Sequence, residues 1–270
     1  MEDKSSTFSR DANSQSQSLG KNAPDKLKII YENNNYLVIE KEAGITVNRS
    51  DTTIGELTLQ DLIEASGKVN TEEENSDFQQ RSGIVHRLDK ETSGIIVIAK
   101  NSLSFNVLQK QFKERKVEKS YLALVHGELV PSSGEIIAPV GRLPWNRKRF
   151  GVLAGGREAV TKYQVLSILY LVSNGKTESL SLVRLHPKTG RTHQIRVHLK
   201  YINHPIFGDS LYSGRKTSRE DRRILSRFFL HAERISFFDP ETGKKVNYES
   251  DLSYELKNLL EKLKLKTDNN

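Results

Sequence analysis

The 270-residue sequence contains no cysteine, one methionine and one tryptophan. The absence of cysteine excludes disulfide bonds and thiolate metal sites, and it is typical of a cytoplasmic protein. No apolar run approaches the roughly 18 residues that a membrane-spanning helix requires, so we expect no membrane association. The amino terminus is rich in Ser, Gln and Asn and lacks the apolar centre of a secretory signal.

Several common catalytic motifs are also missing. The sequence has no P-loop, no GxGxxG turn, no GxSxG elbow and no HExxH helix. His193 and His198 are five residues apart, which in a strand would place them on opposite faces. Asp89 and Glu91 give weak grounds for the paired carboxylates of a glycosidase. We therefore expect no metal site and no nucleotide cofactor.

The charge is positive and unevenly distributed. The whole chain carries a net charge of +8, with a pI near 9.4. Residues 1–26 are neutral overall and residues 67–80 carry −3, so the rest of the chain carries +11. A basic body with a local acidic insert indicates a polyanionic partner. The alternative is a generic basic surface that serves solubility.

A polar run followed by an apolar run lies near the middle of the chain. Residues 86–92 include His, Arg, Asp, Lys, Glu and Thr, and residues 94–99 are Gly-Ile-Ile-Val-Ile-Ala. The apolar run predicts a strand buried on both faces, which would hold the preceding loop against the protein interior. Burying a charge is costly unless it is paired. We therefore take Asp89 as the candidate chemical centre and expect a cation beside it.

The remaining pattern predicts an α+β fold. Residues 1–26 offer little apolar surface, which predicts a disordered tail, and we expect one folded domain over residues 27–266 with residues 67–80 as an acidic loop insert. Strands outnumber helices and several adjoin through short turns, which favours a mixed, largely antiparallel sheet. The predicted strands lie near 27–31, 36–40, 94–99, 118–125, 160–172, 178–186 and 228–238, and the predicted helices near 57–63, 101–115 and 252–265.

Two further segments combine basic residues with rings. Residues 139–158 are predicted to be irregular, and their arginines and lysine interleave with Trp145 and Phe150. This pattern is typical either of a surface that binds single-stranded nucleic acid or of a plain glycine-rich loop. Residues 191–199 are predicted to be extended, with Gln194, Arg196 and His198 on one face.

Four segments together resemble the motifs of the RluA-type pseudouridine synthases. Residues 86–94 resemble the central signature, residues 36–44 the amino-terminal motif, residues 119–121 the Lys-x-Tyr motif, and residues 190–198 the third motif. They stand in the order and spacing of the family. Glu42 occupies a position where proline is commoner.

The resemblance covers residues 27–250 and implies the family's fold, a bent mixed sheet with flanking helices and a cleft across its middle. It implies an isomerase that converts specific uridines to pseudouridine in structured RNA, ribosomal or transfer. Such an enzyme flips the base out of its stack. The reaction leaves the atoms of the substrate unchanged in number, so the resemblance implies no cofactor. We expect a cytoplasmic monomer whose partner is RNA.

The resemblance also implies roles for particular residues. Asp89 is the expected catalytic carboxylate, Arg196 its basic partner, and Tyr121 the active-site tyrosine whose ring stacks on uracil. Asp89 acts either as a nucleophile on the sugar or base or as the base that removes the C2′ proton, and the sequence leaves both open. The residues expected to bind substrate are Arg87, which fills the vacated stack or holds a phosphate, Ile195, which forms the opposite wall of the base pocket, and His86 and Thr92 in the central motif.

Two other functions remain open from the sequence. A noncatalytic RNA-binding or ribosome-assembly factor could use the same fold, although it would not need Asp89, Tyr121 and Arg196 together. A base-excising hydrolase would release free uracil. Many relatives carry an amino-terminal S4 RNA-binding domain, which the 26 residues before the first predicted strand cannot form. We therefore expect the catalytic domain's own basic surface to bind the RNA.

Overall fold

The computed structural model describes residues 27–50, 53–69, 76–173 and 175–265. The predicted disordered tail and the centre of the acidic insert, residues 70–75, lie outside the described residues. The described residues form twelve strands and six helices. In chain order these are β1 (Lys28–Glu32), β2 (Tyr36–Lys41), α1 (Leu59–Ser66), α2 (Ser76–Arg81), β3 (Ser93–Ala99), α3 (Ser102–Lys113), β4 (Glu118–His126), β5 (Ser133–Ile137), β6 (Val140–Leu143), β7 (Asn146–Val152), β8 (Val160–Ser173), β9 (Lys176–Pro187), α4 (Gln194–Tyr201), α5 (Arg215–Asp221), β10 (Leu230–Phe238), β11 (Lys245–Glu249), α6 (Tyr254–Lys262) and β12 (Lys264–Leu265).

Ten of these strands form one sheet. Its main path runs β1-β2-β3-β10-β4-β9-β8-β12, with β11 paired to β10 and β5 paired to β8. The pair β3 and β10 is parallel, and the other neighbours in this sheet are antiparallel. The predicted α+β class with a mixed, mostly antiparallel sheet is therefore confirmed.

Strand β3 is central to the sheet and to the candidate site. It pairs with β2 on one side and β10 on the other, and every one of its residues is buried. Gly94 has φ +113°, and a Cβ at this position would lie 2.2 Å from the carbonyl oxygen of Ala232. Only glycine permits this approach of β10. The predicted buried strand is confirmed, and its close contact with β10 fixes the end of the preceding polar loop.

Helix α3 follows β3 and covers one face of the sheet. The Asn101 side chain caps it by accepting the backbone N–H of Ser104 at 2.9 Å. Phe105 and Leu108 are fully buried against the core. The prediction of a capped helix over 101–115 is confirmed, and the helix places Phe112 beside the polar loop.

Two predictions about irregular segments are wrong. The described end of the predicted acidic loop forms a helix, α2, whose Phe78 is fully buried against Phe105. The segment 139–158 contains the hairpin β6–β7, a two-stranded sheet of its own. Its side chains form a small second core with α4, which gives the hairpin an apolar side that the basic and glycine-rich sequence concealed.

Some regular elements were not predicted. They are β5, β11, β12 and α5, all of which are short. Short elements carry too few residues to show a period in the sequence. Among the described residues, no helix is long and apolar enough to cross a membrane.

Candidate active site

The loop that carries Asp89 is fixed to the interior by its apolar residues. Val85 and Leu88 are 7% and 4% exposed, whereas the Asp89 side chain is 19% exposed. The backbone N–H of Thr92 donates to the Asp89 carbonyl at 3.0 Å, which closes a turn after the carboxylate. The loop therefore buries its flanks and presents Asp89 to a cleft.

A buried lysine supports this loop from below. Lys41, at the end of β2, is 1% exposed and donates to the carbonyl oxygens of Glu42, Ile45 and Lys90 at 2.7, 2.9 and 3.1 Å. Burial lowers the Lys41 pKa to about 7, although the negative charge of Asp89 acts to raise it. The ammonium ties the residue after Asp89 to the first hairpin.

Arg196 and Asp89 are in direct contact. The Arg196 Nη1 donates to Asp89 Oδ2 at 3.0 Å, and its Nε and Nη2 donate to Asp209 at 2.7 and 3.0 Å. Arg196 is 5% exposed and Asp209 is fully buried. Burial opposes the charge of Arg196, but its hydrogen bonds and charge pairing with Asp209 and Asp89 raise its pKa overall. Arg196 is thus a permanent cation held between two carboxylates.

Arg196 reaches Asp89 from a helix, so the extended conformation predicted for residues 191–199 is wrong. Residues Gln194–Tyr201 form α4, and His193 precedes it with a left-handed φ of +55°. The Gln194 side chain accepts the backbone N–H of Arg191 at 3.0 Å and holds the start of the helix. Residues 194–199 are all buried, so no polar face reveals the helical period.

The helix also separates residues that the predicted strand had placed on one face. Arg196 points at Asp89, whereas His198 is fully buried and contacts the Thr161 hydroxyl and the Ala138 carbonyl, each at 3.0 Å. Residues two apart in a helix differ by about 200°, so they diverge. His198 therefore packs α4 against β8.

His193 connects the site to the hairpin β6–β7. Its Nδ1 lies 2.9 Å from the Tyr212 hydroxyl, and its Nε2 lies 4.0 Å from Asp89 Oδ1. The Phe150 ring contacts His193 edge-on at 5.5 Å, and the Phe150 N–H donates to the Tyr212 hydroxyl. Burial lowers the His193 pKa, which favours the neutral imidazole at neutral pH. The hairpin is thereby anchored beside Asp89.

Tyr121 and Ile195 line the same cleft as Asp89. Tyr121 lies in β4 between β10 and β9, and it is 9% exposed. Burial, followed by the nearby Asp89 charge, raises its pKa, so the phenol stays protonated at neutral pH. Ile195 is 8% exposed. The cleft has a volume of about 840 Å³, which is large enough to hold a nucleotide.

The other residues of the central motif take different positions around this cleft. Arg87 is exposed at its wall. His86 accepts the backbone N–H of Val97 at 2.9 Å and stacks on Phe112 with 4.7 Å between centroids. Burial lowers the His86 pKa to about 3, so the ring is neutral and its acceptor nitrogen is occupied. Thr92 is 2% exposed and borders the cleft.

The walls of the cleft are strongly basic. Among the described residues that line it, Asp89 is the one carboxylate. A cationic cleft concentrates polyanions such as RNA near the site. The basic lining residues are Arg49, Arg81, Arg87, Lys113, Arg115, Lys119, Lys188, Arg191 and Arg196.

Comparison with known proteins identifies the family. The sequence profile described as RNA pseudouridylate synthase matches residues 35–201. The uncharacterized RNA pseudouridine synthase YhcT of Bacillus subtilis is 38% identical over 235 residues, which cover 87% of this chain and 71% of YhcT. The chain belongs to the RluA family of RNA pseudouridine synthases. It is therefore an isomerase that forms pseudouridine in RNA.

Other relatives agree with this family. Ribosomal large subunit pseudouridine synthase D of Neisseria meningitidis serogroup B is 36% identical over 249 residues, which cover 90% of this chain and 62% of that protein. The solved structure of human RNA Pseudouridylate Synthase Domain Containing 1 superposes with a TM-score of 0.68 at 28% identity. That match covers 92% of this chain and 91% of the human chain.

Sequence reasoning missed two residues of the pseudouridine synthase site. Asp209 was not singled out, although it follows Gly208 in a loop with the apolar Ile206 and Phe207, and an acid in apolar surroundings needs a cation. Lys41 lies in the segment 36–44 that resembles the amino-terminal motif, but the sequence does not show that it supports the Asp89 loop. Glu42, where proline is commoner in the family, supplies Lys41 with a backbone carbonyl, which any residue provides.

Proposed function

We propose that this pseudouridine synthase modifies specific uridines in structured RNA, with large-subunit ribosomal RNA as the first candidate and transfer RNA as the second. The observation that carries the proposal is the contact of Asp89 with Arg196 in a cleft whose other lining charges are positive. The Neisseria relative is named as a pseudouridine synthase of the large ribosomal subunit. We also propose that the protein acts as a monomer in the cytoplasm.

The chemistry proposed for Asp89 uses its position at the cleft surface. The N1–C1′ bond of uridine breaks, the uracil turns, and C5 bonds to C1′. The C5 proton is then lost and N1 gains a proton, so the isomerisation needs no external electron or group. Asp89 starts this sequence either by adding to the substrate as a nucleophile or by removing the C2′ proton. Arg196 holds the carboxylate in place in both cases.

The base is proposed to lie between Tyr121 and Ile195. The Tyr121 ring stacks on uracil, and its protonated hydroxyl can relay a proton, taking up the C5 proton as it passes its own to N1 or to water. Ile195 supplies an apolar surface on the other side. A uracil held there is outside its RNA helix, which requires base flipping.

Arg87 is the proposed contact with the RNA that the base has left. It is exposed, planar and cationic, so it can fill the vacated stack or bind a phosphate. His86 and Thr92 are proposed to support this loop, because the His86 ring holds the Val97 N–H and the Thr92 backbone holds Asp89.

Tritium release tests this function. We expect the purified protein to release tritium from ribosomal RNA labelled at uridine C5, in proportion to the pseudouridine formed. No release from either ribosomal or transfer RNA pools would contradict the proposal, and free uracil would indicate a hydrolase instead. Chemical mapping of pseudouridines in a strain that lacks the protein would identify the target uridine.

A further inference from the structure

Lys119 is a cation of the cleft that the proposed reaction leaves unused. It lies in β4 two residues before Tyr121, and side chains two apart in a strand share a face. Both residues line the cleft. Ser120, between them, faces the other way and donates to Glu233 at 2.6 Å. The strand therefore presents Lys119 beside the tyrosine, about 6–7 Å further along.

The ammonium of Lys119 has no anionic partner in the described part of the protein. It makes no hydrogen bond or ion pair there, and it lies over the Phe112 ring, with 6.0 Å from Nζ to the centroid. A Cβ at Gly190 would lie 3.8 Å from this Nζ, so the loop at Gly190 borders it on another side. Burial alone lowers the Lys119 pKa to about 8.

A half-buried cation without a partner is unfavourable in the free protein. Other lysines near the site are compensated, since Lys41 donates to three carbonyl oxygens and Lys90 pairs with Glu56 at 2.7 Å. An uncompensated charge facing a cleft is typical of a binding site whose ligand supplies the opposite charge. Along an RNA strand the anionic group is the phosphodiester.

We propose that the Lys119 ammonium binds a phosphodiester group of the RNA strand next to the uridine that enters the cleft. This inference rests on the proposed function, because it takes RNA as the ligand and Tyr121 as the platform for the base. Lys119 is then a binding residue that sets where the strand lies relative to Asp89. The neighbouring His86 ring is neutral, so it adds no charge of its own beside the Lys119 ammonium.

The test compares Lys119→Met, Lys119→Arg and a matched control, Lys245→Met. Lys245 pairs at 2.8 Å with Glu118, the residue that precedes Lys119 in sequence. Both side chains of that pair are exposed, and neither lines the cleft. The probe is a large-subunit ribosomal RNA transcript with tritium at uridine C5. Tritium release from this RNA measures turnover. Filter binding of the same RNA over a series of KCl concentrations measures Kd.

We expect Lys119→Met to raise KM about tenfold and to leave kcat within twofold. The slope of log Kd against log KCl should flatten by about 0.7–0.9, the value for one phosphate contact. Lys119→Arg should keep the slope and Lys245→Met should match the wild type. Lys119→Met should also melt no lower than the wild type, because it removes a half-buried charge that has no partner.

Three results would overturn the inference. The first is an unchanged RNA affinity and an unchanged salt slope in Lys119→Met. The second is a loss of kcat at constant KM. The third is a lowered melting temperature accompanied by loss of both turnover and RNA affinity. The wild-type protein separates this inference from the proposed function. Absence of tritium release by the wild type would reject the function, whereas normal release with an unaffected Lys119→Met variant would reject only the phosphate contact.

Discussion

Arg196 is held more firmly by Asp209 than by Asp89. Two nitrogens of the guanidinium, Nε and Nη2, donate to the fully buried Asp209, and the third, Nη1, donates to the partly exposed Asp89. Asp209 is itself fixed, since it accepts the backbone N–H groups of Leu211 and Tyr212 at 2.9 and 3.2 Å. Asp209 therefore orients the cation, and the cation in turn positions Asp89.

Replacing Asp209 should impair turnover without impairing RNA binding. Asp209→Asn removes the charge that holds Arg196, and misplacing a reacting group by about 1 Å lowers a rate by about 100-fold. We expect kcat for tritium release to fall by about that factor at constant KM. The free energy of unfolding should fall by about 3 kcal/mol, because a buried charge loses its principal partner.

The matched control is Asp251→Asn. Asp251 is 91% exposed and pairs with Lys257 at 3.2 Å, so its loss should leave both turnover and stability near the wild-type values. A normal kcat in Asp209→Asn would show that Arg196 keeps its place without this carboxylate.

Tyr121 should contribute through its ring and its hydroxyl separately. Tyr121→Phe keeps the stacking surface but removes the hydroxyl that transfers a proton, so we expect KM to hold and kcat to fall by about 100-fold or more. Tyr121→Ala should in addition weaken RNA affinity, because stacking of a base on an aromatic ring contributes about 1–3 kcal/mol. Tyr170→Phe in β8 is the control. Equal kinetics for Tyr121→Phe and the wild type would exclude a role for the hydroxyl.

His126 should make stability depend on pH. It lies between Glu178 at 2.6 Å and Asp221 at 3.1 Å, and Asp221 accepts the N–H of Gly208, next to Asp209. Burial opposes its charge, but the two carboxylates raise its pKa from 6.5 to about 9. The stabilisation is therefore complete below about pH 6.5 and is lost as the pH rises through 9.

The measurement is the unfolding free energy of the wild type and of His126→Gln from pH 6 to 10. The difference between them should shrink by roughly 2 kcal/mol over this range, after allowing for the half-exposed Glu178. Lys41, whose pKa is lowered, makes stability rise with pH in both proteins, and this contribution cancels when their unfolding free energies are subtracted. His186→Gln, in β9, serves as the control. A difference that stays constant with pH would contradict the charged state of His126.

The sheet was largely predictable from the sequence, because its strands show their burial in the pattern. Residues 94–99 are apolar throughout and form the fully buried β3. The long strands β8 and β9 were expected close to their observed bounds. The family motifs led to Asp89, Tyr121 and Arg196, and these three line one cleft.

The support of the site was not predictable for physical reasons. Residues 194–199 of helix α4 are all buried, so their sequence is not divided into a polar and an apolar helix face. The alternation of polar and apolar residues suggested a strand instead. Asp209 is 13 residues from Arg196 in sequence, and the segment between them, which contains the rest of α4 and a loop, bears no pattern that pairs the two. Such contacts depend on tertiary structure, which local propensity does not encode.

The central claim is that Asp89, held by Arg196, performs the chemistry and is not needed for binding. The most direct measurement is tritium release and filter binding by Asp89→Asn on the same C5-labelled ribosomal RNA. We predict that release falls to background while the Kd for RNA stays within a few-fold of the wild type. Turnover by Asp89→Asn at a rate near that of the wild type would contradict the account.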